Sequence, residues 1–178
     1  MSKSIQTKAI LILAIILLAG NHLFAQNVVV GKTDSLDKKR AQSAYIELFG
    51  PGIIFSGNYD TRFSNHQDGI GGRIGIGGYG SDGSSIFTVP VQINYLVGKQ
   101  NKFFEVGFGF TYYNYRGTSF NFFDNSRVNE NKVIGTMTFG YRYQPKEGGF
   151  NFRAAINPFF DGNSFFPWWF GISVGYSF

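Results

Sequence analysis

The chain has 178 residues, of which 19% are aromatic and 24 are glycine, and it contains no cysteine. Its 16 basic residues against 11 acidic ones are too small a surplus to argue for a nucleic-acid partner. Lacking cysteine, it has no disulfide, no thiolate metal site and no thiol nucleophile.

Lys3 and Lys8 precede an apolar run from Ala9 to Ala19, followed by Gly20 and a tail ending Leu23-Phe24-Ala25. A basic start, a short apolar stretch and a small exit residue predict a secretory signal peptide over residues 1–25, cleaved near Ala25 after Sec-type export. The run falls short of the roughly 20 apolar residues of a membrane-spanning helix. No cysteine follows it, which excludes a lipoprotein anchor. Removing Lys3 and Lys8 leaves 14 basic residues, and His66 becomes the only histidine. Residues 26–43 carry Asp34, Asp37, Lys38, Lys39 and Arg40 and are expected to be a solvated periplasmic lead-in.

From residue 44 to residue 178 the chain reads as strands and turns. In the first stretch Ile46 and Leu48 oppose Glu47; beyond Pro51-Gly52 the phase changes. There Ile53, Phe55, Tyr59 and Phe63 oppose Ser56, Asn58 and Asp60. This is either two strands joined by a tight turn or one bent strand. Further strands are predicted over 70–79, 86–97, 103–114, 132–144, 150–158 and 168–178. In the strand over 86–97, Phe87, Val89, Val91, Ile93, Tyr95 and Val97 oppose Thr88, Gln92 and Asn94. In the next, Phe104, Val106, Phe108, Phe110 and Tyr112 oppose Glu105, Gly107, Gly109 and Thr111. One face suits hydrocarbon and the other a polar interior, the alternation of a transmembrane β-strand. Mean hydropathy is accordingly close to neutral despite the many aromatics. The expected fold is all-β: a transmembrane, antiparallel, up-and-down barrel of about eight strands.

A small residue followed by tyrosine recurs as Asn58-Tyr59, Asn94-Tyr95, Gly140-Tyr141 and Gly175-Tyr176, about one hairpin apart. Tyr59, Tyr95, Tyr141 and Tyr176 are therefore expected to form a girdle at one membrane interface. The connections after Tyr95 and Tyr141 are short, whereas 116–131 and 159–167 are longer. Short turns are periplasmic in such barrels, which places the girdle there. The outer connections are then the Pro51-Gly52 turn, 80–85, 116–131 and 159–167.

The last strand alternates most clearly. Trp168, Phe170, Ile172, Val174, Tyr176 and Phe178 share one face, and Trp169, Gly171, Ser173, Gly175 and Ser177 the other. Its Gly171, Val174, Tyr176 and Phe178 resemble the C-terminal signal that outer-membrane barrels present to the barrel-assembly machinery. The whole pattern resembles small outer-membrane barrels of the OmpA-domain and OmpX kind. That resemblance implies a Gram-negative outer membrane, with its lipids and the assembly machinery as partners. It transfers no functional residue and no cofactor.

By parity Arg73, Glu105, Arg142 and Arg153 point inward, and Glu47 can join them. They are expected to form a charged network centred on Glu105 that plugs the interior, with inward glycines such as Gly75, Gly77, Gly107, Gly109 and Gly140 leaving room. An interior of this size is filled by side chains, so a wide pore is not expected. For an enzyme, Ser64-Asn65-His66 offers a nucleophile and base, with Asp60 or Asp68 to orient the imidazole. These residues are also turn formers, and they fall at the periplasmic end, away from an outer-leaflet substrate. A single histidine without cysteine makes no metal site, and the Gly-rich stretch around Gly71-Gly72 and Gly77-Gly78 lacks the helix of a phosphate loop. Phe120, Phe122 and Phe123 in 116–131 either bind a partner or rest on the rim. The reading is a non-enzymatic outer-membrane barrel with a structural or surface-interaction role. The alternative is an outer-leaflet lipid-modifying enzyme of the lipid A deacylase or acyltransferase type.

Overall fold

A computed structural model describes residues 40–81, 84–117 and 130–178. The signal peptide over 1–25, most of the lead-in, and Phe120, Phe122 and Phe123 lie outside the described residues. The strands are β1 (Gln42–Phe49), β2 (Phe55–Arg62), β3 (Gly69–Ser81), β4 (Ser84–Lys99), β5 (Lys102–Arg116), β6 (Glu130–Tyr143), β7 (Gly149–Ile156), β8 (Phe159–Phe160), β9 (Phe165–Phe166) and β10 (Phe170–Ser177).

Each strand from β1 to β6 pairs with the next, β7 pairs with β10, and β10 pairs with β1. All pairings are antiparallel, and eight strands close into a barrel. β8 and β9 make a small hairpin on β6, through Gly135↔Phe160 and Thr136↔Phe159. Residues 44–63 are thus two strands, and β1 begins at Gln42. The 159–167 connection, expected to be a plain loop, contains the β8–β9 hairpin because Phe159 points inward and Phe160 lies outward over Gly135.

Burial is inverted relative to a soluble protein. Ile93 and Phe170 are 63% and 62% exposed, whereas Asp60 and Arg142 are 0% exposed. The alternation responsible is the one visible in β4 and β5, where buried and exposed residues follow one another along most of the strand. Water would penalise that apolar outside and hydrocarbon would not.

The tight turn after β1 departs from expectation. Ile53, assigned to the outward face with Phe55, is inside and only 1% exposed. Gly50–Gly52 forms a buried 3-10 turn, and β2 starts only at Phe55, so Ile53 never enters the strand alternation. Phe49, Gly50 and Ile53 all have positive φ, at 61°, 63° and 74°. Positive φ is costly for a β-branched residue, and the amide of Ile54 donates to the carbonyl of Gly52 at 3.1 Å to close a γ-turn there. The surrounding barrel holds the strained turn in place. Thr88 and Thr111 hydroxyls donate to the carbonyls of Gly52 and Pro51 at 3.0 and 2.7 Å, and Trp169 Nε1 donates to Gly50 O at 3.1 Å. The turn therefore folds into the barrel mouth instead of projecting from it. Ile53 packs there with Ile86, Tyr115, Ile134 and Phe159.

Candidate functional site

The candidate site is the polar interior beneath that turn. Inward parity alone selects its members, since every second residue of each strand faces the lumen. Asp60 of β2 is the hub. Its Oδ1 accepts from Arg62 Nη2 and Arg142 Nη2, both at 2.8 Å, and its Oδ2 accepts from Asn94 Nδ2 at 2.6 Å. Arg153 Nη2 stands 3.7 Å from Oδ2.

Glu105, the expected centre, occupies a secondary position. It accepts from Asn94 Nδ2 at 3.0 Å and faces Arg142 and Arg153 across 3.7 and 3.6 Å. Arg73 does not bond to Glu105; it pairs with Glu47 at 2.6 Å. Arg142 and Arg153 both donate to Ser43 Oγ, at 3.1 and 3.4 Å. The Arg153 guanidinium also lies 3.9 Å over the Tyr45 ring, a cation–π contact. Of the expected set, Arg142, Arg153 and Glu105 are brought together around Asp60, and Arg73 forms a separate pair beside them.

Asp60 and Arg62 were legible as inward by the same parity that selected the others. Asp60 lies on the polar face with Ser56 and Asn58, but parity gives no sign that it is the hub, and Arg62 sits at the strand end, where a rim position in water is the default. What brings Arg62 in is the absence of a side chain at Gly71, where an added Cβ would lie 2.2 Å from Arg62 Cζ. Gly75 does the same for Asn58, whose Oδ1 would lie 2.2 Å from such a Cβ.

Polar layers continue along the axis. Gln92 Nε2 donates to Thr136 at 2.8 Å, and Thr138 Oγ1 is shared between Gln92 Oε1 and Asn157 Oδ1 at 3.1 and 3.0 Å. At the end carrying the β2–β3, β4–β5 and β6–β7 turns, Gln144 donates to Gln67 at 3.2 Å and Asn151 to Ser177 at 3.0 Å. Asp60 is engaged at both oxygens by Arg62, Arg142 and Asn94, and Ser64, Asn65 and His66 are exposed in the β2–β3 turn. Asp60 therefore does not orient the His66 imidazole.

On the outside, Tyr59, Tyr95, Tyr141 and Tyr176 are all exposed. Tyr95 is two strands from Tyr59 and Tyr141 two strands from Tyr95, and Tyr176 is paired across β10 with Ala44, itself paired with Tyr59. Val174, Tyr176 and Phe178 face outward, Gly171 is buried, and the Phe178 ring packs 6.5 Å from that of Tyr59.

A closed eight-stranded antiparallel sheet, apolar outside and filled with paired polar groups inside, is a transmembrane β-barrel. The structure is similar to the N-terminal β-barrel domain of Pseudomonas aeruginosa OprF, with a TM-score of 0.55 and 15% sequence identity, covering 80% of this chain and 98% of that one. At that identity the likeness is one of fold. No family model matches the sequence, and no curated protein does.

Proposed function

We propose that this protein is a non-enzymatic outer-membrane barrel of a Gram-negative bacterium, exported through a signal peptide over 1–25, with a structural or surface-interaction role. The observation that carries this reading is the filled lumen. Salt-bridged arginines cross it at one level and the inturned Gly50–Ile53 segment closes it at another, so the interior offers stability and no solute path. The apolar outer belt fits bilayer lipids as its surroundings. The tyrosine girdle is read as the periplasmic interface, which leaves the 116–131 and 159–167 connections on the outer side as the surface available to a partner. Gly171, Val174, Tyr176 and Phe178 are read as the contact with the assembly machinery. His66 takes no catalytic part.

The test is fractionation of membranes by density, followed by gel electrophoresis with and without boiling. The expected result is outer-membrane protein whose folded band shifts on heating; recovery in the soluble or inner-membrane fraction would defeat the proposal. Lipid A composition in a His66→Ala strain should match that of the parent, and altered acylation would favour a lipid-modifying enzyme instead.

A further inference from the structure

The rim of the barrel at the inturned segment is uneven. β2 pairs with β3 only from Arg62↔Gly71 to Ser56↔Gly77, whereas β3 runs on to Ser81 beside β4. Above Gly77, β3 therefore has a strand on one side only among the described residues. Tyr79 shows the consequence. It has the inward parity of Arg73 and Gly77, yet it is 56% exposed. The segment that would have continued the wall has folded inside and become a floor.

Between that floor and the high wall lies a cleft of about 210 Å³, whose lining includes Ile54, Tyr79, Ser81, Ser84, Ile86 and Tyr115. The two isoleucines and two phenol rings make its body apolar, and hydroxyls stand at its edge, where Tyr115 and Ser84 are 3.5 Å apart. Among the described residues no Asp, Glu, Lys or Arg lines it.

We propose that this cleft is a binding site for an uncharged alkyl or aryl group about the size of a substituted benzene ring. An apolar cavity of about 150 Å³ takes up benzene, so the volume is sufficient for one ring and too small for a whole lipid. The walls of Ile54, Ile86, Tyr79 and Tyr115 disfavour an ion, which would lose its water against them. The edge hydroxyls suit a guest with one hydroxyl or carbonyl. Residue 86 lies nine positions along β4 from Tyr95, roughly 23 Å along the axis for a rise of about 3.3 Å per residue and a tilt of about 40°. That height is close to the far edge of an apolar belt about 25 Å tall. Two sources can supply the same group at that level: a free solute from the medium, or the end of an acyl chain entering past the unpaired edge of β3.

The inference rests on the membrane reading only for the bilayer in which the protein is studied. Failure to insert would be seen as a missing heat-shifted band before any ligand is added. Inserted protein in phosphatidylcholine nanodiscs, with isoleucine methyls labelled, is titrated with p-cresol. Saturable shifts confined to Ile54 and Ile86 are expected, with half-saturation raised at least tenfold in Ile86→Trp. Because Ile86 is part of the buried apolar cluster, Ser84→Trp blocks the cleft from its edge as a second variant and should raise it similarly. A second arm uses lipids with a nitroxide at the chain end. Selective broadening of the Ile54 and Ile86 methyls assigns the site to acyl chains, and saturable cresol binding without it assigns the site to a solute. Shifts that grow linearly and are shared with the outward-facing Ile74 and Ile93, with no selective broadening, overturn the proposal.

Discussion

Asp60→Asn is the sharpest perturbation of the lumen. The side chain is wholly buried and accepts three hydrogen bonds of 2.6 to 2.8 Å, two of them from guanidinium groups. Among the described residues the buried charges are the guanidiniums of Arg62, Arg73, Arg142 and Arg153 and the carboxylates of Glu47, Asp60 and Glu105. Removing Asp60 leaves four positive groups facing two negative ones. Breaking a buried ion pair by deleting one partner costs about 3–5 kcal/mol. With a urea slope of about 2 kcal/mol per molar, the unfolding midpoint in lipid vesicles should fall by about 1.5–2.5 M. Glu105→Gln should cost less, because its guanidinium neighbours stand at 3.6 and 3.7 Å. Adding Arg62→Gln to Asp60→Asn should destabilise by less than the sum of the single changes, with a coupling of about 0.5–3 kcal/mol. The reasoning is refuted if Asp60→Asn moves the midpoint by less than about 0.3 M, the range of a surface substitution.

Other outcomes follow from the same structure. Thr88→Val with Thr111→Val should leave two carbonyls of the inturned segment without donors, costing about 1–3 kcal/mol at each site and raising single-channel conductance in planar bilayers; unchanged conductance and midpoint would contradict the plug. Deleting Phe178, which packs on Tyr59 at the outer surface, should lower outer-membrane yield in cells while refolding into micelles still succeeds; normal cellular levels would count against it. At the tip of the β8–β9 hairpin, the Asp161 carboxyl is held below its ordinary value, first by the Asn163 amide at 3.0 Å, with the Ser164 amide at 2.8 Å and Lys132 at 3.5 Å adding to it. A depressed folded value means that this carboxylate stabilises the hairpin above the unfolded pKa and that the contribution is lost as pH falls through the folded one. The Asn163 and Ser164 amide resonances should therefore titrate with a midpoint below about 3.9, and a midpoint at or above that value would disprove the capped turn.

The period-two alternation of β4, β5 and β10 by itself determined the architecture. In a closed barrel every strand has the same two environments, so one local pattern repeated eight times states both the strand and the face. Inwardness of Arg73, Glu105, Arg142 and Arg153 was legible for the same reason. Parity says which side of the wall a residue occupies; it carries no information on which residues meet across the lumen. Those distances depend on closure and stagger, which put Asp60 between Arg62 and Arg142 and left Arg73 to Glu47. The path of Gly50–Ile53 was equally invisible. A Pro-Gly pair signals a turn, but whether it points out or in is set by Thr88, Thr111 and Trp169, which lie far along the chain and reach its carbonyls only once the barrel has closed. The tertiary structure alone decided that the mouth is shut by backbone, because the groups that offset the strain of Ile53 come from two other strands, β4 and β5, and from the segment leading into β10.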